Sequence, residues 1–333
     1  MPSPARHGSS PRQPEHQDKF PSWSRAPWAV RHVYSPRVFN SLVCPVCKGE
    51  LEWFDDTTVC LSCRTAYPLT SAGKLDFTVV GTKRDSFAYR LGKFPPLTGT
   101  VDFGSLDPVS HPHVDFTGVE VPPNVSRAML SHVPQALSDQ ALMLDVGCGD
   151  ARFRHVAERA GFVYVGLDLA SPQASLLGDA QALPFRDETF ELVWSNAVLQ
   201  YVHCPPAMMR EVYRVTKPGG MFLGTIATIE PFDGHSLSSF TRLGIALLLQ
   251  DAGFTVNNVA PDPWWTGLVA LSKMGLFPKM SLALIKACVT PLDALSKIWW
   301  GVGAWKRGDR GKMERLTRTT GAHEFIAVRD PEP

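Results

Sequence analysis

The stretch LDVGCGDARF, residues 144–153, decides the fold. A short apolar run enters a glycine turn, as a buried strand does where it hands over to a helix. A second strand-like run, VYVGLDLA at 163–170, follows and closes on Asp168, 19 positions after Gly149. This is βαβ order. Small residues let the backbone approach a ligand, and a carboxylate on the next strand grips ribose hydroxyls.

A dinucleotide suits this turn poorly. Its pyrophosphate would rest on the turn and the helix N-terminus, where negative charge is unwelcome. Here Asp150 lies in the turn and Asp145 just before it. Two carboxylates beside a glycine turn suit a ligand with a cationic end, such as the ammonium and sulfonium of S-adenosylmethionine.

Outward from 144, strand and helix patterns alternate. The strands are ALMLDVG (141–147), FVYVGLDL (162–169), ELVWSNAV (191–198), MFLGTIAT (221–228), TVNNVAP (255–261) and HEFIAVRD (323–330). The helices are ARFRHVAERAG, PAMMREVYRVTKPGG (206–220, stopped by Pro218-Gly219) and FTRLGIALLLQDAGF (stopped by Gly253). Such alternation predicts an α/β fold, a mostly parallel, doubly wound sheet with helices on both faces. PPNVSRAMLSHVPQAL near 122–138 has the spacing of a helix leading into the first strand. A helical insertion at 264–320 precedes the last strand. It is apolar and tryptophan-rich, and its Lys279, Lys286, Asp293 and Lys297 fall on one helical stripe. Pro291 is expected to break or kink it.

Upstream, residues 1–38 are rich in Pro, Ser, Arg and His and read as a disordered arm. Residues 40–80 form a cysteine module, and 82–121 an irregular connecting segment. The α/β domain is expected over 122–330. With 333 residues the chain has room for one such domain plus small additions. A net charge of +1 provides no global field toward nucleic acid. The first 40 residues lack an apolar signal core, and no segment reads as a membrane-spanning helix. An odd cysteine count, seven, with CxxC pairs fits a reducing, cytoplasmic setting.

Cys44-Pro-Val-Cys47 and Cys60-Leu-Ser-Cys63 are separated by 12 residues. Two facing CxxC turns make a closed tetrahedral S4 cage for a structural Zn2+. Redox dithiols or unrelated core cysteines are the alternatives. CPVCKGEL at 44–51 and CLSCRTAYPLTSAGKLDF at 60–77 resemble the zinc-ribbon activators of tRNA and protein methyltransferases, and the zinc module of some rRNA guanine methyltransferases.

From 140 onward the chain resembles the class I S-adenosylmethionine-dependent methyltransferases of the type-11 methyltransferase-domain group. LDVGCGDARF, VGLDLA, GDAQALPFRDETFELVWSNAVLQYV (178–202) and EVYRVTKPGGMFLGTI (211–226) carry the resemblance. It implies a seven-stranded, Rossmann-like methyltransferase sheet with S-adenosylmethionine as cofactor. It further implies that Gly147 and Gly149 lie against the methionine portion and that Asp145 faces the ammonium. Asp168 would accept from the ribose hydroxyls, and Asp179 and the Ala180 amide would meet the adenine edge. Leu169 and Leu183 would sandwich the ring, and Ser195 and Asn196 would lie at the ligand edge. The plainer readings stay open: Asp168 as a strand-end residue, Asp179 as a turn cap, and Leu169 and Leu183 as core. Two departures stand out. Only ten residues separate Asp168 from Asp179, leaving room for little helix, and Gln200-Tyr201 stands where the family often has Glu-His.

Methyl transfer needs alignment, exclusion of water and sometimes a base. His203 and His235 are the candidates, with loop histidines in water as the alternative. The leading expectation is a small-molecule or lipid-like acceptor. RNA methylation through the ribbon and a non-catalytic adaptor are the alternatives. The insertion reads as a lid or homodimer surface burying its own tryptophans, or as a peripheral membrane contact through 264–305.

Overall fold

The computed structural model describes residues 23, 28–79, 81, 97–122, 124–230, 235–304 and 315–331. Residues 1–22 of the expected arm, 82–96 of the connecting segment and Trp305 lie outside them.

The expected arm ends sooner than 38. Helices α1 (Trp28–Val33) and α2 (Pro36–Asn40) are already folded, and Val30, Tyr34, Val38 and Phe39 are buried. Ser35 caps α2 by accepting from Val38 N, with Pro36 at the first turn where no N–H is needed. The cysteine module follows as a three-stranded antiparallel sheet, β1 (Leu51–Trp53), β2 (Thr57–Cys60) and β3 (Ala66–Pro68). Beyond each CxxC pair the chain turns through one left-handed residue, Lys48 (φ 61°) and Arg64 (φ 62°).

The main sheet is built from α3 (Arg127–Ser131), β4 (Leu142–Val146), α4 (Arg154–Arg159), β5 (Val163–Asp168), β6 (Leu176–Leu177), β7 (Phe190–Asn196), α5 (Pro205–Val215), β8 (Thr216–Ala227), α6 (Arg242–Ala252), β9 (Thr255–Pro261) and, after the insertion, a closing strand at Ala322–Val328. The insertion holds α7 (Gly267–Leu271), a π-helical turn (Ser272–Leu276) and α8 (Leu282–Ala304). The closing strand is β10. Seven strands lie in the order β6-β5-β4-β7-β8-β10-β9, with β10 antiparallel to both neighbours and the β4–β8 pairs parallel. This is the expected seven-stranded, mostly parallel, doubly wound α/β sheet.

Alternation along the strands feeds two cores. Met143, Leu192, Trp194, Leu223 and Ile326 pack with Met129, Phe153 and Val156 on one face. Leu142, Leu144, Val193 and Phe222 pack with Val212 and Ile245 on the other. That second core also contains Tyr34, Phe39, Leu51, Tyr67, Leu75 and Phe77, so the cysteine module and the α/β domain share one hydrophobic interior. Each rim of the sheet receives one added bridge. Leu75–Phe77 pair with Leu177 of β6, and Asp102 bridges Asn258 of β9.

Three local expectations change. The 206–220 helix stops at Val215, and Thr216 onward is extended and joins β8. The 122–138 segment forms only the five residues of α3. Of the break or kink expected at Pro291, the break does not occur, and α8 continues through it. Pro291 and Ala287 lie on an exposed turn, where water can satisfy the carbonyl that a proline leaves unpartnered. Nor does the insertion bury all its tryptophans: Trp299 is 79% exposed.

Candidate functional site

A cleft of about 520 Å³ opens at the carboxyl ends of β5, β4 and β7, where ligands bind in open α/β sheets. Gly147, Asp168, Leu169, Gly178, Asp179, Ala180, Asn196 and His203 all line it. The turn after β4 explains its glycines. Gly147 has φ +71°, and a Cβ there would come within 2.4 Å of Val198 Cγ2. Its N–H and that of Cys148 both donate to Leu167 O. Gly149, φ +49°, donates to Asp168 Oδ2 at 3.0 Å, and Ser171 Oγ donates to Gly149 O.

Asp168 is held open toward the cleft by backbone. Its Oδ1 accepts from Ala170 N and Ser171 N, each at 3.0 Å, and Oδ2 from Gly149 N. A carboxylate has about four acceptor sites, so one remains, on Oδ2. Asp179 forms an Asx turn by accepting from Gln181 N, and the Gln181 amide also donates to both its oxygens. It caps a turn and lines the cleft at once. Leu169 is 61% exposed at the rim, whereas Leu183 is wholly buried and outside the lining.

Asp145 and Ser195 are buried and lie outside the lining. Asp145 accepts from Tyr164 Oη at 2.8 Å. Burial pushes its carboxyl up to about 7; the tyrosine hydrogen bond opposes this and the Asp168 charge adds to it. His203 stands at the rim, while His235 is exposed and outside the lining. Gln200 and Tyr201 both donate to Glu230 Oε2, at 2.8 and 2.9 Å. Tyr201, noted in the sequence only as a departure from the family pattern, lines the cleft, and so does Val198, which the sequence pattern does not mark. Their placement depends on the short 3-10 turn Leu199–Tyr201, which has no periodic signature.

The four cysteines converge as their spacing predicts. Their sulfurs lie within 4.8 Å of one another, with Cys44···Cys63 at 3.5 Å and Cys47···Cys60 at 3.4 Å. Zn–S bonds of about 2.3 Å at tetrahedral angles set sulfurs about 3.8 Å apart, so this donor set fits Zn2+. Tyr67 Oη lies 3.0 Å from Cys44 Sγ. Two ion pairs tie the module to the domain: Lys48 pairs with Glu211, and Arg186 of the domain reaches Glu50 through two hydrogen bonds, while Arg64 is exposed.

Residues 144–224 match the family model described as Methyltransferase domain. A malonyl-[acyl-carrier protein] O-methyltransferase of Erwinia billingiae is 37% identical over 108 residues, 29% of this chain and 42% of that protein. The mitochondrial arginine-hydroxylase NDUFAF5 of Danio rerio is 31% identical over 129 residues, 34% of this chain and 38% of that one. This chain thus spans less than half the length of either relative. Among solved structures, phosphoethanolamine N-methyltransferase 2 of Haemonchus contortus, in complex with S-adenosyl-L-methionine, is similar with a TM-score of 0.38 at 17% identity, covering 59% of this chain and 50% of that one.

Proposed function

We propose, from the premise that residues 144–224 are a class I, S-adenosylmethionine-dependent methyltransferase domain, that the protein transfers a methyl group to a small or lipid-like acceptor. The observation that carries this reading is the cleft. Gly147, Asp168, Asp179 and Asn196 meet there from four successive segments of the sheet edge, and Gly147 leaves no space for a side chain. S-adenosylmethionine, when bound, supplies a methyl group on an already good leaving group.

The chain's own residues bind and orient. Gly147 gives backbone access to the methionine portion, and Gly149, outside the lining, holds Asp168 through its N–H. Oδ2 of Asp168 takes a ribose hydroxyl through its remaining acceptor site, a charge-assisted hydrogen bond. Asp179 and Ala180 meet the adenine edge, Leu169 covers one face of the ring, and Leu183 supports the other wall from the core. Asn196 lines the ligand edge, with Ser195 buried beside it. Asp145 sits below the turn and orients it through Tyr164.

Likeness to proteins named for methylating malonyl-[acyl-carrier protein] favours a carboxylate on an acyl chain as the acceptor. A carboxylate carries no proton near neutral pH, so the transfer needs no base. For a phenol or enol, His203 is the better placed imidazole and His235 the more distant one. RNA fits less well, because the ribbon's Lys48 is committed to Glu211. An adaptor would not need so complete a cleft. The four cysteines hold a structural Zn2+.

Among the described residues no helix is long and apolar enough to cross a membrane. α8 exposes Leu284, Leu292, Leu295, Ile298 and Trp299, and residues 264–304 carry four lysines against one aspartate. Apolar exposure with excess positive charge suits peripheral contact of a cytoplasmic protein with an anionic membrane. A homodimer through the same face is the competing outcome.

Calorimetric titration with S-adenosylmethionine tests the core of this reading. Binding is expected in the intact protein and largely lost in Asp168→Ala. Unchanged affinity in that variant removes the ribose assignment. Transfer of labelled methyl to acyl carboxylates, compared with phenols and RNA, separates the acceptor classes.

A further inference from the structure

The link between β5 and β6 is unusually short. Residues 169–175 join two parallel strands without a helix. Parallel neighbours normally need a crossover of a dozen or more residues, which usually forms a helix over the sheet. Without that helix, one face of β5 and β6 would lie bare beside the cleft.

The N-terminal module occupies that place. Leu177 N donates to Leu75 O at 3.0 Å, and Phe77 N donates to Leu177 O at 2.8 Å, adding a parallel bridge to the rim of β6. Tyr34 Oη donates to Ser175 O at 3.0 Å and accepts from Leu75 N at 2.9 Å. Lys74 Nζ reaches Pro172 O. A line of contacts runs from the cysteine cage to the cleft. Tyr67 Oη lies beside Cys44 Sγ, the Tyr67 and Phe77 rings are 5.1 Å apart, and Phe77 Cβ lies 3.9 Å from where Gly178 would carry a Cβ. Gly178, Asp179 and Ala180 line the cleft.

We propose that this module is a fixed wall of the cofactor cleft. It stands in for the missing crossover helix, and Tyr67 and Phe77 are positioning residues that couple the four-thiolate cage to the placement of Gly178–Ala180. The inference rests on the reading that the cleft takes S-adenosylmethionine. The shared core holds the ribbon's apolar residues, but the metal ties its two CxxC turns to each other, so its loss loosens the ribbon. Loss of the metal therefore frees Leu75–Phe77 from β6. The 169–178 segment then has no packed partner, and a ligand must order it on binding.

The test uses the full chain. Affinity for S-adenosylmethionine is measured by calorimetry in zinc-loaded protein, in chelator-stripped protein and after zinc is returned. Phe77→Ala, Phe77→Leu and the remote core variant Leu249→Ala are measured in parallel. Stripping and Phe77→Ala are expected to weaken binding on the order of tenfold, the usual scale of coupling between two sites. Returned zinc and Phe77→Leu should restore most of it, while Leu249→Ala lowers the melting temperature and leaves affinity unchanged. Equal affinity in stripped and loaded protein, or equal weakening in the Leu249 variant, overturns the coupling. Hydrogen exchange over 169–178 gives an answer independent of the cofactor. It should rise on stripping, and unchanged protection there also overturns the inference. If loaded protein shows that rise on stripping but never binds S-adenosylmethionine, the proposed function fails and the wall stands.

Discussion

Gly147 shows how a single position can carry a site. Its φ of +71° is costly for any other residue, and an added methyl group meets Val198. Gly147→Ala is expected to cost roughly 1–3 kcal/mol of stability and to abolish measurable cofactor binding, read by thermal melting and calorimetry. A different residue contributes to pH dependence. Glu324 on β10 is buried, with its carboxylate taking hydrogen bonds from Ser126 N and Oγ. Burial raises its pKa to about 7; the Ser126 hydrogen bonds oppose this and Asp262 adds to it. Between its ordinary value and about 7, the folded state holds a proton that the unfolded state has released. Stability is therefore greatest below that window and falls as pH rises through it. Asp145, also raised to about 7, adds to the same slope, so Glu324→Gln should reduce it without removing it in denaturant titrations between pH 4.5 and 7. Neighbouring His323 acts in the opposite sense. Burial, with Arg242 nearby, lowers its pKa to about 4, so its contribution is lost as pH falls from 6.5 toward 4. The glycine turn and Asp168 were legible because small residues and an acid at βαβ spacing have a direct physical signature. The burial of Asp145 was not, because Tyr164 reaches it from another strand.

At the level of elements, strands were read best. TVNNVAP was bounded to the residue, as period-2 and apolar runs allow. Helix ends were read less well where the chain turned on tertiary contact. Val215 closes α5 because Thr216 onward finds a place in β8, which outweighs the helical pattern of its sequence. The α1–α2 pair was hidden by polar composition. Val30, Tyr34 and Val38 recur at a spacing of four, the stripe that could have disclosed it. α8 makes the clearest prediction at this scale. Ile298→Glu together with Trp299→Glu should remove co-sedimentation with anionic vesicles. Melting should stay within about 0.5 kcal/mol of the parent, because both side chains are exposed. Vesicle binding that survives the pair would assign α8 a different partner, and a shift from dimer to monomer would identify that partner as a second copy.

The whole molecule joins what the sequence had separated. Segment composition suggested an arm, a ribbon and a domain in series. Contacts between residues more than a hundred positions apart, such as Tyr34 with Ser175 and Lys48 with Glu211, fuse them, and no local pattern announces such contacts. The shared interior predicts one cooperative calorimetric transition for the zinc-loaded chain. Two well-separated transitions would instead mean that ribbon and domain unfold independently. A last consequence concerns how the protein fares in a crowded solution. A seven-stranded sheet ends in two rows of backbone donors and acceptors, which in other molecules recruit the strands of strangers. Leu75–Phe77 and Asp102 each interrupt one of those rows from within the same polypeptide. Fibre-like stacking of intact molecules is thereby hindered at both edges, and clumping on heating should quicken once these flanking segments have peeled away.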